Sequence, residues 1–242
     1  MSSPRLSDFD ILTFDCYGTL IDWEAGILAA FRTVLEGHGR SLDDEVLLEQ
    51  FARFEAEAES GPYLPYRQVL AHALHGVCAG LGAGLGGAGS GFEPTPSETQ
   101  GFAESVGDWP AFPDSAGALA LLATKFRLGV ITNCDTDLFA RSNARLGVQF
   151  DWVITAQQLG SYKPNPRNFE LALEHIGGPR SRHLHVAQSL YHDHVPAQAL
   201  GLTTAWIDRR QGRPGTGATP PAAATPDFVF SDMASFAAAA IG

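Results

Sequence analysis

From Asp108 onward the chain repeats one pattern: a short apolar run, then a stretch with helical spacing. The runs Arg127–Thr132, Asp151–Thr155, His183–Ala187, Thr203–Ile207 and Phe228–Phe230 are rich in Val, Ile, Thr and aromatic residues and read as strands. Helical patterns lie between them: Asp114, as a cap, to Lys125; Asp135 or Thr136 to about Gly147; Pro166 to Ile176; and Asp193 to Leu200. Strands built from single apolar runs and separated by helices imply a mostly parallel sheet covered on both faces, an α/β fold. A Pro/Gly/Thr loop is expected from Gln211 to Pro226.

The amino-terminal run Phe9–Phe14 belongs to the same sheet and ends abruptly in Asp15. A buried strand of this kind delivers a carboxylate to the sheet's carboxyl edge, where open α/β sheets bind ligands. Gly18 then permits a sharp turn that can aim backbone N–H groups at an anion. A strand followed by a capping Asp is the plainer reading of the same residues. Trp23–Glu36, Leu42–Glu59 and Tyr63–Ala79 are helical patterns with no strand among them. The expected division is therefore a core segment at 1–21, a helical insert at 22–107 and the rest of the core at 108–242. Gly80 to Gly91 orders only at a large entropic cost and should be a mobile loop. It lacks the Gly-x-Gly-x-x-Gly and Gly-Lys-Ser/Thr patterns of nucleotide loops.

At 242 residues the chain is long enough for a core and a smaller lobe, and with 45% apolar and 18% charged residues it reads as globular. A net charge of −11 argues against nucleic acid, although local cations can still bind a small anionic substrate. Cys16, Cys78 and Cys134 have neither metal-ligand spacing nor a disulfide framework and read as small buried hydrophobes. There is no apolar run of about 18 residues and no leader-like opening, so no membrane partner is expected and the cytoplasm is the expected compartment.

Three further strand ends carry polar groups. Thr132-Asn133 offers a hydroxyl, an amide and a helix start, suited to an anion or to ordinary capping. Lys163 is stiffened by Pro164 and Pro166, and a solvated loop lysine is its alternative. Gln188-Ser189 leads to His192 and Asp193; the histidine is a packing or hydrolytic residue, the aspartate a functional carboxylate or a helix-start charge.

An Asp, a Thr, a Lys and an Asp at successive strand ends, with a helical insert after the first, resemble the haloacid dehalogenase superfamily over essentially the whole chain. Asp15-x-Tyr17-Gly18-Thr19-Leu20 is similar to its first motif, Thr132-Asn133 to the second, Lys163-Pro164 to the third and Asp193 to the acid of the fourth. The resemblance implies a Rossmann-like doubly wound core with an inserted helical cap domain. The family's phosphatases carry an Asp two residues after the nucleophile, to protonate an alkoxide, and an acid five residues before the last Asp, to hold Mg²⁺. Here those positions are Tyr17 and Gln188. Halide leaves without a proton, so both differences point to a 2-haloacid dehalogenase needing no cofactor; a Mg²⁺-dependent phosphatase or phosphonate hydrolase is the alternative.

In that reading Asp15 displaces halide and forms an ester, and water oriented by Asp193 releases a 2-hydroxy acid. Lys163 keeps both carboxylates ionised, and Thr19 completes the catalytic set. Tyr17, Arg53, Thr132, Asn133, Phe169 and Ser189 are the substrate-binding candidates, with Arg67 a weaker one. Phe169 and Leu190 stand where the well-studied dehalogenases have a tyrosine and an asparagine, so a binding protein that has lost turnover is a third reading. Related dehalogenases are often dimers, an analogy that leaves a homodimer open.

Overall fold

The computed structural model describes residues 4–82, 90–213 and 215–242. The chain divides into two compact units: Met1–Asp22 with Ala111–Arg213 and Pro221–Gly242, and Trp23–Pro110 with Pro214–Pro220.

In the first unit, β1 (Ile11–Phe14), β2 (Arg127–Thr132), β3 (Trp152–Thr155), β4 (His183–Ala187), β5 (Thr203–Ile207) and β6 (Phe228–Phe230) form a parallel sheet in the order β3-β2-β1-β4-β5-β6. The order reverses between β1 and β4, the switch point at which crossover helices part to opposite faces and leave a crevice at the strands' carboxyl ends. The register pairs Phe14, the last residue of β1, with Val130 and Val186, so β2 and β4 run on past it to Thr132 and Ala187. All four residues of β1 are buried, as expected for a strand covered on both faces. Helices α5 (Ser115–Leu122), α6 (Thr136–Leu146), α7 (Ala156–Leu159), α8 (Pro166–Ile176), α9 (Val195–Ala199) and α10 (Met233–Ile241) complete the unit. Ile131, Ile154, Phe169, Ala172, Ala197 and Leu202 form one core cluster.

Several elements depart from the sequence reading. The turn expected to start a helix at Asp193 begins earlier, as a wide π-type turn over Leu190–His194. Ser189 caps it by accepting the His192 N–H at 2.9 Å, which places Asp193 inside the turn and not at its edge. Asp114 precedes α5 without capping it. Its carboxylate instead accepts the Met233 and Ala234 N–H groups at 2.7 and 3.2 Å, at the start of α10. Helix α10, beyond the last expected strand, has a second cap in Asp232, which accepts from Ser235 N–H at 2.7 Å.

The second unit contains α1 (Trp23–Gly37), α2 (Asp44–Glu59), α3 (Tyr66–Gly80) and α4 (Pro96–Glu104). Helix α4 was not among the expected elements, yet Thr95 and Glu98 form a reciprocal capping box around Pro96 at its start. Aromatic packing joins the unit: Phe31 meets Phe102 at 4.6 Å and Phe51 at 6.3 Å between ring centroids. Pro214–Pro220, assigned by sequence to the core, groups here, and Ala218 N–H donates to the Glu24 carboxylate at 3.3 Å. Of the loop expected at Gly80–Gly91, residues 83–89 lie outside the described residues. No helix among the described residues is long and apolar enough to cross a membrane.

Candidate active site

Asp15 follows β1 directly, and its N–H continues the ladder by donating to Val186 O of β4 at 3.1 Å. Gly18 adopts φ 94°, which permits the tight turn that closes with Gly18 N–H on Ile21 O at 2.8 Å. The turn brings Thr19 back onto the carboxylate, and its hydroxyl donates to Asp15 Oδ2 at 2.7 Å. The Thr19 oxygen in turn accepts Gln188 N–H at 2.9 Å, tying the loop after β1 to the end of β4.

Lys163 joins the carboxylates. Its Nζ donates to Asp15 Oδ1 at 2.9 Å, to Asp193 Oδ1 at 2.7 Å and to Ile131 O at 2.9 Å. Three acceptors match the three protons of an ammonium. Lys163 is 1% exposed, Asp15 6% and Asp193 0%, so these charges interact in a poorly screened setting. Burial pushes the Asp15 carboxyl above its ordinary value, with the Asp193 charge adding to the rise and Lys163 opposing it. Burial also works against ionised Asp193, but Lys163 and His185 outweigh it and hold that carboxyl well below its usual range. Burial works against the charge on Lys163, but the two carboxylates overcome it and raise its pKa.

A family model described as haloacid dehalogenase-like hydrolase matches residues 9–191, most of the chain and the whole run from β1 to the loop after β4. The chain belongs to the haloacid dehalogenase-like hydrolases. It is 26% identical to an (S)-2-haloacid dehalogenase of Pseudomonas fluorescens over 82% of this chain and 84% of that protein. It is also 26% identical to haloacetate dehalogenase H-2 of a Moraxella species, over 84% and 88% of the two. The solved L-2-haloacid dehalogenase of Xanthobacter autotrophicus superposes with a TM-score of 0.74 at 22% identity, over 95% of this chain and 97% of that one. That structural likeness establishes the fold: a Rossmann-like sheet with an inserted helical domain.

Within this hydrolase the remaining sequence candidates take varied places. Thr132 ends β2 with a buried hydroxyl that has no hydrogen-bond partner among the described residues, leaving it available to a ligand. The Asn133 amide, expected to meet substrate, is committed to Lys163: its nitrogen donates to Lys163 O and its oxygen accepts Lys163 N–H. An amide facing a peptide backbone pairs with both of its polar groups, so Asn133 positions Lys163 as well as standing at the end of β2. Phe169, expected to meet substrate, is instead wholly buried in the core cluster, where it packs edge-to-face on His185 at 4.9 Å. An all-hydrocarbon ring gains most by that enclosure.

The Tyr17 hydroxyl pairs with Ser142 Oγ at 3.0 Å and accepts from Cys134 Sγ at 3.4 Å, and burial raises the phenol's pKa well above normal. Ser189 is occupied with its turn, bonding His192 through both the backbone N–H and Nδ1. Arg53 lies on α2 of the second unit, its guanidinium 4.1 Å over the Phe54 ring, and Arg67 pairs there with Glu104 at 2.7 Å. Cys16, Cys78 and Cys134 are buried free thiols.

Two site residues escaped the sequence reading. His185, in the middle of β4, has Nε2 at 2.9 Å from Asp193 Oδ1. Arg209, just past β5, donates to Thr19 O through Nε and Nη2 at 3.2 and 2.9 Å and to Asp114 through Nη1 at 3.0 Å. His185 sits in an otherwise apolar strand, and a polar side chain that far inside was the available signal. Arg209 had none, since it lies in a polar turn.

Proposed function

We propose that this hydrolase cleaves the carbon–halogen bond of a small 2-haloacid through an ester on Asp15. The observation that carries the reading is the enclosed Asp15–Lys163–Asp193 bridge, in which one ammonium serves two carboxylates. A carboxylate is a weak nucleophile in water. Burial strips its hydration, while Lys163 and Thr19 hold one oxygen each, so the group is aimed without being neutralised. Attack on the halogen-bearing carbon expels halide, a weak base that needs no proton. Water then adds to the aspartyl carbonyl, gives its proton toward Asp193 and displaces the 2-hydroxy acid. The substrate carboxylate is anionic, and Thr132 supplies an unspent hydroxyl donor at the same sheet edge.

The phosphate-ester reading asks for an acid beside the nucleophile and an oxygen-rich metal site. Tyr17 is a poor acid, since its phenol's pKa is already raised. The donor set fits Mg²⁺ badly as well: Asp15 and Asp193 each turn one oxygen to the same ammonium, and position 188 is an amide.

The test is halide release from chloroacetate and 2-chloropropionate beside phosphate release from p-nitrophenyl phosphate, with and without EDTA. Halide release indifferent to EDTA is the expected result, with ¹⁸O from labelled water entering the Asp15 peptide after one turnover. Mg²⁺-dependent phosphate release without halide release would replace this reading by the phosphatase one.

A further inference from the structure

In the parallel register His185 of β4 stands opposite Thr13 of β1, and the two side chains meet, Thr13 Oγ1 lying 2.9 Å from His185 Nδ1. The other ring nitrogen, Nε2, is 2.9 Å from Asp193 Oδ1, and Phe169 closes on the ring edge-to-face at 4.9 Å. Both Thr13 and His185 are buried. An ionised carboxylate only accepts, so Nε2 carries the hydrogen that faces it; the Thr13 hydroxyl then donates to Nδ1 and fixes that tautomer. Asp193 Oδ1 consequently accepts from two directions, Lys163 Nζ and His185 Nε2, while Oδ2 is buried with no partner among the described residues. Two donors on one oxygen set the plane of the carboxyl group, and with it the direction in which the other oxygen's lone pairs point.

We propose that His185, braced by Thr13, is a positioning residue for ester hydrolysis: it pins Oδ1 of Asp193 so that Oδ2 receives the proton of the attacking water. The inference rests on the haloacid reading above. In the step it serves, the water oxygen bonds to Cγ of Asp15 and one water proton passes to Asp193 Oδ2. The Cγ–O bond to the substrate then breaks and the departing 2-hydroxy acid oxygen takes that proton; the second water proton, left on the new Asp15 carboxyl, passes to solvent, and both carboxylates are restored. His185 acts only through Asp193. Alkylation of Asp15, which needs no base, should not depend on it. A histidine that merely filled space would affect both half-reactions or neither.

Chloroacetate is the probe, and rapid-quench mass spectrometry of the intact chain follows the ester on Asp15 as it forms and decays. For His185→Phe, alkylation should stay within about twofold while ester decay slows roughly 10–100-fold, the usual loss for a hydrogen bond to a charged group, so that the adduct accumulates. His185→Gln, which keeps an N–H donor, should recover much of the decay rate, and Thr13→Val should fall between the two. The acid limb of ester decay should move to higher pH in His185→Phe, a shift read against the other groups facing Asp193, namely Lys163, Asp15, His192 and His194. Equal slowing of both half-reactions, or unchanged decay in His185→Phe and Thr13→Val, would overturn the role of His185 alone. Should His185→Phe lose its circular-dichroism signature, Thr13→Val and His185→Gln decide the matter by the same readout. No adduct on the unsubstituted enzyme would overturn the haloacid reading and this inference with it.

Discussion

Asn133 holds Lys163 by both polar groups of its backbone: Nδ2 donates to the lysine carbonyl and Oδ1 accepts the lysine N–H, each at 2.8 Å. The pair fixes where the long side chain starts, and the ammonium's three acceptors fix where it ends. A flexible lysine thereby loses most of its rotamer freedom before substrate arrives, which is the preorganisation that charge stabilisation requires. Asn133→Ala should therefore lower kcat about 10–100-fold while changing KM little, because misplacement by an ångström is costly at a reacting centre. Steady-state kinetics with chloroacetate checks this, and an unchanged kcat would show that the ammonium's own bonds suffice.

Asp114 links a helix start to the nucleophile loop. Its carboxylate caps α10 through Met233 and Ala234 and holds Arg209, whose guanidinium donates twice to Thr19 O. Asp114→Ala removes a cap worth about 1–2 kcal/mol. For a chain of this size that is a fall in Tm of roughly 2–8 °C. It also frees Arg209, so kcat should drop several-fold. Calorimetry and kinetics on the same preparation separate the two effects; a Tm loss with full activity would mean that Thr19 keeps its place without Arg209.

The sheet was legible because β-branched runs and helical spacing alternate so regularly after Asp108; Asp15 alone read as plainly as a capping residue, and only the three later strand ends gave it a functional meaning. The convergence of Asp15, Lys163 and Asp193 followed from placing each at a strand's carboxyl edge, where a parallel sheet gathers its loops. What stayed hidden depends on partners distant in sequence. His185 matters because register sets it against Thr13, 172 positions away, and no local pattern encodes that. Asp114 was read as the cap of its neighbouring helix, yet its carboxylate serves α10, which starts over a hundred residues later. Helix α4 had a readable signal in Thr95-Pro96-x-Glu98, passed over beside the glycine-rich stretch.

Glu55 on α2 is buried and accepts the Tyr66 hydroxyl at 2.7 Å, and burial pushes its carboxyl up to about 8 despite that bond. The unfolded group ionises near 4.5, so at neutral pH the folded state holds a proton that the unfolded state has released. Its contribution is best below pH 4.5 and is lost as pH rises through about 8. Glu55→Gln keeps an acceptor for Tyr66 without a titrating group. It should stabilise the protein at pH 8 by up to a few kcal/mol, about 1.4 per pKa unit as an upper bound, and should flatten the alkaline fall in Tm. Denaturation at pH 5 and pH 8 checks this. An equal effect of the substitution at both values would mean that Glu55 does not titrate in this window.

His192 and His194 occupy the turn that carries Asp193, and burial pushes both imidazoles down to about 4. His192 Nδ1 lies 3.2 Å from Ser189 Oγ, and His194 Nε2 lies 3.0 Å from Ala187 O, a bond that favours the charged His194 ring without overcoming its burial. Lys163 further disfavours a charge on His192, while Asp193 works the other way. With unfolded values of 6.5, both rings charge more readily in the unfolded chain, so their contribution is full above pH 6.5 and is lost as pH falls through about 4. Two such groups should make stability fall by up to two protons' worth per pH unit, about 2.7 kcal/mol at the steepest. His194→Gln, with an amide N–H for Ala187 O and no proton to gain, should halve the slope between pH 6.5 and 4. Denaturant titrations at half-unit intervals supply the measurement. An unchanged slope in His194→Gln would assign the acid lability elsewhere, with His192 next to Asp193 as the first group to substitute.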